Sequence, residues 1–181
     1  MPTHLNNDWY IRRFIDEYAF LSNFYPAEFE WNGIVWQTAE HAYQAMKCAS
    51  KDEFKIIREA SHPALAKKLG RVCNVRPDWN KIKFTVMCNV VNCKFNQNPK
   101  LQELLIETGD KVIIEGNWHH DNIWGCCPPD TLNGLNLLGK ILMEYRTEMM
   151  LFGTVIEPDN VNPYFTQNGI SPRMKSFMEN I

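Results

Sequence analysis

Four polar side chains are spaced to share one face of a short predicted helix. Glu40, Tyr43, Gln44 and Lys47 lie three or four residues apart, and such residues are neighbours on a helix surface. Thr38 is a suitable N-cap residue, and it places Glu40 in the first turn, where the helix dipole favours an anion. This face predicts the wall of a substrate cleft; the alternative is an ordinary surface face.

A second cluster of ionisable and aromatic residues lies in a glycine-flanked loop, residues 116–125. Asp121 supplies a carboxylate and Trp124 a stacking surface, the pair required to cleave a bond between a sugar and a base. Such residues crowded into a loop indicate function, because loops seldom need them for packing. The alternative is a Trp-anchored loop in which Asp121 forms a turn. His119 and His120 are interpreted as solvated turn residues.

The six cysteines are predicted to be free thiols, because the apolar content is ordinary and no secretory signal precedes them. They are Cys48, Cys73, Cys88, Cys93, Cys126 and Cys127. The nearest approach to a metal-binding motif is His119, His120 and Asp121 followed by Cys126 and Cys127. Adjacent ligands of this kind rarely close a tetrahedral zinc site, so no metal and no cofactor are expected.

Hydrophobic periodicity and turn residues predict the elements that position these clusters. The Asn32-Gly33 pair predicts a hairpin over Phe29–Trp36. Helices are predicted over Ala39–Cys48, Lys51–Ala60, Pro63–Leu69 with Gly70 past its end, a longer segment capped by Asp78, Pro99–Ile106, Leu135–Leu151, and about Met174–Glu179. A short strand is predicted over Lys111–Glu115. His41 is interpreted as a packed or capping histidine.

Charge is unevenly distributed along the chain. Residues 47–100 hold twelve Lys or Arg against four Asp or Glu, a net +8, whereas the whole chain carries −2. Clustered positive charge concentrates phosphates at a surface, so this segment predicts a site for an anionic ligand. The alternative is that Lys51, Lys55, Arg58, Lys67 and Lys68 merely solvate helix faces. A uniformly basic DNA-coating protein is excluded, because the rest of the chain is acidic.

Length and composition predict one folded domain. The 181 residues, 45% hydrophobic and 22% charged, are typical of one globular domain. With the predicted helices and short strands, the expected class is α+β: a single compact, mainly helical domain with a few short strands. No apolar stretch approaches the roughly 20 residues of a membrane helix, and the N-terminus lacks the basic start and apolar core of a secretory signal. A cytoplasmic protein with no membrane contact is therefore expected.

Several motifs occur in a characteristic order. They are Leu21–Phe24, Trp36–Lys47, Gly70–Arg71 before Asp78–Trp79, Asp121–Gly125, and Gly134–Gly139 followed by Leu142–Met143 and Arg146. Taken together, from about residue 14 to residue 150, they resemble the NADAR family of N-glycosidases. The chain departs from the family at Cys126, Cys127 and the two prolines after them, where glycines are frequent. These departures bear on substrate specificity rather than on the reaction.

The resemblance implies a NADAR-like N-glycosidase domain over residues 1–151, with residues 152–181 as a C-terminal extension packed on the same domain. It implies hydrolysis of a ribosyl N-glycosidic bond in a nucleotide-like substrate. One family activity removes ADP-ribose from guanine in DNA, which entails transient DNA contact; another cleaves early riboflavin-pathway intermediates, which are ribosylamino-pyrimidine phosphates. The +8 segment favours the first. A non-catalytic module that binds ADP-ribose or NAD, and a structural or regulatory partner protein, are the rival classes.

The resemblance also assigns roles to residues. Cleavage of a ribosyl C–N bond builds positive charge on the sugar, so an anion is needed near it. We assign this role to Glu40 in its ionised form, with Asp121 as the second candidate for activating water. The remaining expectations concern substrate binding. Trp124, with Trp79 or Trp36, is expected to sandwich the base, and Lys47 and Arg71 to hold phosphate. Asn23 and Asn136 are expected to bind ribose hydroxyls, and the other substrate-binding residues are Phe24, Tyr43, Gln44 and Gly125. The alternatives are a core anchor for Trp79, a helix cap for Asn136 and a backbone role for Gly125.

Overall fold

The computed structural model describes residues 6–152, which form a mainly helical α+β protein. The helices are α1 (Ala39–Ala45), α2 (Lys51–Arg58), α3 (Pro63–Val72), α4 (Trp79–Asn96), α5 (Pro99–Glu107) and α6 (Leu137–Phe152). The strands are β1 (Tyr10–Ile11), β2 (Phe29–Trp31), β3 (Ile34–Trp36) and β4 (Val112–Ile113), and a 3₁₀ helix spans Asp16–Leu21. The predicted fold class is confirmed. Within residues 6–152, the helices are too short or too polar to cross a bilayer.

The described residues group into two compact units. The central unit, residues 23–98, contains the β2–β3 hairpin and α1–α4; the flanking unit, residues 6–22 and 99–152, contains β1, the 3₁₀ helix, α5, β4 and α6. The single-domain organisation stays a prediction. The expected extension over residues 152–181, with its helix near Met174–Glu179, lies outside the described residues except for the last residue of α6.

The hairpin of the central unit forms where the Asn-Gly pair predicts it. β2 and β3 pair antiparallel, with Phe29 opposite Trp36, and the turn residues Asn32 and Gly33 take φ angles of 55° and 71°. Positive φ at both central turn residues matches the right-handed twist of the strands. Phe29 and Trp36 are buried in the core of this unit.

Helix α1 starts as predicted but ends at Ala45 rather than Cys48. The side chain of Thr38 accepts the amide N–H of His41, which confirms the cap. Beyond Ala45, the Lys47 carbonyl accepts from the Arg76 amide at 2.8 Å, and the Ala49 amide donates to the Asn74 carbonyl at 2.8 Å. These long-range bonds replace the last helical turn.

Helix α3 continues through Gly70 to Val72, so the predicted end at Leu69 is wrong. Gly70 keeps helical geometry, and its missing side chain serves close packing: a Cβ atom there would collide with the Oε1 atom of Gln44. At the start of α4, Asp78 occupies the cap position as predicted, but its carboxylate makes no cap bond. It binds the Arg76 guanidinium instead, with Nε to Oδ1 at 2.6 Å.

The flanking unit contains a parallel strand pair that pattern analysis finds only in part. Tyr10 pairs with Val112 and Ile11 with Ile113, so β4 is two residues long within the predicted Lys111–Glu115 strand. β1 and the 3₁₀ helix were not predicted, because neither is long enough to show a period. Five apolar residues spaced three or four apart along α6 are buried: Leu138, Ile141, Leu142, Tyr145 and Met149.

Candidate functional site

A chain of hydrogen bonds runs along α1 from a buried carboxylate to a lysine. The Gln44 Nε2 atom donates to Glu40 Oε1 at 2.7 Å, and the Lys47 Nζ atom donates to Gln44 Oε1 at 3.1 Å and to the Gly70 carbonyl at 2.8 Å. The three- and four-residue spacing read from the sequence therefore places these side chains in one connected row. Because Lys47 also binds the backbone of α3, the lysine end of the row is fixed to a second helix.

The start of α1 is tied to the segment that precedes the hairpin. The Glu40 amide donates to the Asn23 carbonyl at 2.9 Å. The Asn23 side chain is buried and its Nδ2 atom lies 3.2 Å from the Met87 sulfur. Asn23 thus positions Glu40 through its backbone, a contribution separate from the ribose contact expected of its side chain.

Burial governs the ionisation of Glu40, which is 5% exposed. Desolvation raises the pKa of this carboxyl, while Lys67, the Gln44 hydrogen bond, Lys47 and Arg71 oppose the rise. Position in the first helical turn was expected to favour the charged form. The loss of water outweighs that dipole, so the pKa lies above the ordinary value of a glutamate and nearer the pH at which a carboxyl exchanges protons efficiently.

Three cations exert a favourable electrostatic influence on this carboxylate: Lys47, Lys67 and Arg71. Lys47 is half-buried, and burial lowers the pKa of its ammonium group. Arg71 is exposed and Lys67 is half-buried, one turn apart on α3. Sequence analysis left open whether Lys67 belongs to an anion-binding segment or solvates a helix face. The four-residue spacing from Lys67 to Arg71, a predicted phosphate ligand, was the signal that could have assigned it to the site.

The aromatic residues assigned to base stacking differ in exposure. Trp36 is 1% exposed, and its ring meets Phe54 edge to face with centroids 5.6 Å apart, which leaves no open face for a base. Trp79 is buried and packs edge to face on Tyr43 at 5.1 Å, as the core-anchor alternative predicts. Phe24 remains half-buried, with the Lys67 Nζ atom 5.4 Å from its ring centroid.

His41 is a packed histidine, as predicted. Its Nδ1 atom lies 2.8 Å from the Thr38 hydroxyl and its Nε2 atom 3.0 Å from the Ala60 carbonyl. Burial lowers the pKa of the imidazole. With both ring nitrogens bonded, His41 holds α1 in place and has no nitrogen left for a substrate.

In the flanking unit, one asparagine organises the Asp121 loop. Asn117 Nδ2 donates to the Asp121 carbonyl at 2.8 Å, and Asn117 Oδ1 accepts from the amides of His119 and Asp121 at 2.9 and 3.1 Å. The Asp121 carboxylate accepts from the amides of Ile123 and Trp124 through Oδ1, at 3.1 and 2.9 Å. One carboxylate oxygen is thus used in the turn, which the alternative interpretation expected. Sequence analysis did not identify Asn117.

The other predicted residues of this unit make backbone contacts. Asn136 Oδ1 accepts from the Glu115 amide at 2.9 Å and its Nδ2 donates to the Ile113 carbonyl at 2.8 Å, so the side chain ties α6 to the β4 segment. A Cβ atom at Gly125 would collide with the carbonyl and carboxylate oxygens of Glu115, which supports its backbone role. Trp124 is half-buried.

The structure therefore gathers the site residues into one group in each unit: the predicted residues apart from the buried Trp36, together with Lys67 and Asn117, which the sequence did not assign to the site. The central-unit group comprises Asn23, Phe24, Glu40, Tyr43, Gln44, Lys47, Lys67, Arg71 and Trp79. The flanking-unit group comprises Asn117, Asp121, Trp124, Gly125 and Asn136.

The basic segment supplies fewer surface cations than its composition suggests. Lys94 is completely buried between the rings of Tyr25 and Phe95, and burial lowers the pKa of its ammonium to about 7. Arg76 is bonded to Asp78. The six cysteines are free thiols, as predicted. Residues 6–152 contain no group of three or more His, Cys, Asp or Glu side chains arranged to hold a metal ion.

Comparisons with known proteins assign this geometry to a family. The NADAR domain model matches residues 9–150. The N-glycosidase Npun_R5314 of Nostoc punctiforme is 38% identical over 137 residues, covering 73% of this chain and 86% of that protein. The N-glycosidase YbiA of Escherichia coli is 32% identical over 138 residues, 75% of this chain and 84% of that protein.

Two further similarities complete the comparison. The NMR structure of E. coli YbiA superimposes with a TM-score of 0.69 at 30% identity, covering 82% of this chain and 89% of that one. The riboflavin biosynthesis protein PYRR of Zea mays is 34% identical over an alignment of 157 positions that covers 77% of this chain and 24% of that protein.

Proposed function

The chain belongs to the NADAR family and is an N-glycosidase, a hydrolase of N-glycosyl bonds, and from that premise we propose that it removes ADP-ribose from guanine bases in DNA. The observation that carries the proposal is the buried Glu40 carboxyl, bonded through Gln44 to Lys47 and approached by the charges of Lys67 and Arg71. The site thus combines an anion for the sugar with cations for phosphates.

The reaction requires a C–N bond to break and water to add. As the bond between the ribose and guanine nitrogen lengthens, positive charge develops on the sugar, and an ionised Glu40 stabilises it or orients the attacking water. The nitrogen leaves with a proton and the sugar carbon takes the hydroxyl group, so the products are unmodified guanine and free ADP-ribose. A carboxyl whose pKa is raised by burial is suited to accept the proton of that water.

Asp121 is the second candidate for activating water. Only its Oδ1 atom is bonded in the turn, so Oδ2 is the oxygen we assign to this role. Trp124 supplies the stacking surface, because an indole face binds a nucleobase for roughly 1 to 3 kcal/mol. Since Trp36 has no open face and Trp79 packs on Tyr43, Trp124 is the tryptophan on which base binding depends most.

Substrate binding is assigned to polar groups in both units. Lys47 and Arg71 hold the phosphates, as the excess of positive charge near Glu40 favours. The side chains of Asn23 and Asn136 are assigned to ribose hydroxyls. Each already makes a hydrogen bond, Asn23 to the Met87 sulfur and Asn136 to the Glu115 amide, so each would bind ribose in addition to that partner. Transient contact with the DNA backbone follows from the substrate.

The riboflavin-pathway intermediates are the second candidate substrate, favoured by the name of the relative PYRR. These are also ribose phosphates joined to a nitrogen base, so the same carboxyl and cations serve. The burial of Lys94 and the pairing of Arg76 reduce the basic surface on which the preference for DNA rested.

Product analysis by mass spectrometry distinguishes these proposals. The protein is incubated with an oligonucleotide carrying ADP-ribosyl-guanine and, separately, with a ribosylamino-pyrimidine phosphate, with the E40Q protein as control. Release of ADP-ribose and recovery of the unmodified oligonucleotide support the first substrate. Release of ribose 5-phosphate from the pyrimidine compound, with no product from the oligonucleotide, supports the second. A melting-temperature shift with ADP-ribose and no product from either substrate overturns the catalytic role and indicates a binding module.

A further inference from the structure

Lys67 lies where it can act on the carboxyl of Glu40. The Asn23 carbonyl accepts the Glu40 amide, so the next residue, Phe24, is held beside the start of α1. The Lys67 Nζ atom is 5.4 Å from the Phe24 ring centroid. α3 itself packs closely on α1, with Gly70 against the Gln44 side chain. Two independent contacts thus bring the Lys67 ammonium group to the end of α1 that carries Glu40.

We propose that Lys67, which lies against the Phe24 ring on the helix packed on α1, is a positioning residue for the reaction that supplies a counter-charge to the Glu40 carboxylate. The inference rests on the proposed function, because it matters to catalysis only if Glu40 is the working carboxylate. Lys67 acts through Glu40, so it differs from the phosphate ligands Lys47 and Arg71.

The other two cations are less suited to this role. Lys47 donates to the Gln44 side chain and the Gly70 carbonyl, which direct its charge toward α3. Arg71 is exposed, so solvent and salt screen it. Among the charged groups that lower the pKa of Glu40 against its burial, Lys67 acts most strongly, ahead of Lys47 and Arg71. α4 also packs on α1, but the contact is between the uncharged rings of Tyr43 and Trp79.

The inference predicts a defined change in ionisation. Removing an opposite charge near a carboxylate raises its pKa, commonly by one unit or more. In K67M, the titration midpoint of Glu40 is expected to rise by about one pH unit, and the acidic limb of kcat/KM moves to higher pH by a similar amount. K67R keeps the charge and restores both. K68M is the matched control, because Lys68 is the exposed neighbour on the same helix.

The test is a carbon-13 NMR titration of the glutamate carboxyl groups in the substrate-free full chain, with the Glu40 signal assigned from E40Q. A midpoint that is the same in wild type, K67M and K68M overturns the inference. If K67M does not fold by circular dichroism, K67Q takes its place. Because the titration needs no substrate, full activity of E40Q would overturn the proposed function while leaving the charge pairing to be decided by the NMR result.

Discussion

Glu40 is fixed in place by its neighbours before any substrate arrives. Its carboxylate accepts from Gln44, its amide is bound to Asn23, and charges from three cations converge on it. A group held in this way needs little reorganisation as charge develops on a bound sugar. The raised pKa shows that this arrangement disfavours the ionised form in the folded protein, so the site is built at the expense of stability.

The E40Q variant separates catalysis from stability. We expect turnover to fall at least about 100-fold, because the amide cannot balance positive charge on the sugar. The folded-state pKa of Glu40 is raised above 4.5, so wild type loses stability as pH rises from 4.5 through the folded value, and E40Q lacks this loss. Thermal unfolding should therefore show E40Q at least as stable as wild type at pH 7 and no more stable below pH 4.5.

The K47M variant tests the phosphate contact. Loss of the ammonium group is expected to raise KM about tenfold, and the wild-type KM should increase with salt more steeply than that of the variant, since screening acts on the charge that K47M lacks. Steady-state kinetics at two ionic strengths measure both effects. An equal salt dependence in the two proteins would contradict the role of Lys47, and K68M serves as the control of equal charge change.

At the scale of elements, sequence correctly predicts those turns and helix caps that depend on hydrogen bonds between neighbouring residues. The Asn32-Gly33 turn and the Thr38 cap were read correctly, because each depends on neighbouring residues. The end of α1 was not, because it is set by bonds to residues 74–76. Glycine past a helix usually marks its end, yet Gly70 lies inside α3 because of a contact with α1.

The candidate site likewise contains a part that spacing within one helix predicts and a part that depends on packing between helices. Spacing within α1 predicts the row from Glu40 to Lys47, whereas the approach of Lys67 depends on how α3 packs on α1. A lysine on a helix looks the same in sequence whether it is solvated or faces a carboxylate. Trp36 shows the opposite case. It was expected as a possible stacking surface for the base because it lies in a family motif, yet its side chain is buried in the core.

The G70A variant tests the packing of α3 on α1. Helix propensity alone predicts a gain of about 1 kcal/mol for Ala over Gly. We expect instead a loss of about 1 to 3 kcal/mol from overpacking, together with lower activity, because the new methyl group displaces the Gln44 amide from Glu40. Urea unfolding and turnover are measured. In a Q44A background, the added G70A change should cost little further stability, because the side chain that the methyl group meets is absent, and activity should stay low. A G70A protein more stable than wild type would contradict the packing argument.

At the scale of the molecule, the net charge counted from the sequence of residues 47–100 is larger than the positive charge that this segment exposes on the surface. Lys94 counts toward the basic segment, yet it is completely buried with a pKa of about 7. The lowered pKa corresponds to roughly 5 kcal/mol of disfavoured charging. A count of basic residues therefore overstates the attraction of this segment for nucleic acid.

The K94M variant reports on this buried amine. Its folded-state pKa is lowered from 10.5 to about 7, so wild type loses stability as pH falls from 10.5 to 7 and no further below 7. Met fills similar space without a charge to neutralise. We expect K94M to be more stable than wild type by about 1 to 3 kcal/mol at pH 7, with the difference shrinking toward pH 9. Urea unfolding at both values measures it; a pH-independent difference would contradict the lowered pKa.

The contact between Gly70 and Gln44 constrains how this protein can evolve. A methyl group at position 70 forces the Gln44 side chain to shift, and a shifted or smaller residue 44 no longer binds Glu40 in the same way. A change at either position alone is therefore expected to lower activity. Among descendants that retain the reaction, the two residues should be inherited as a linked pair.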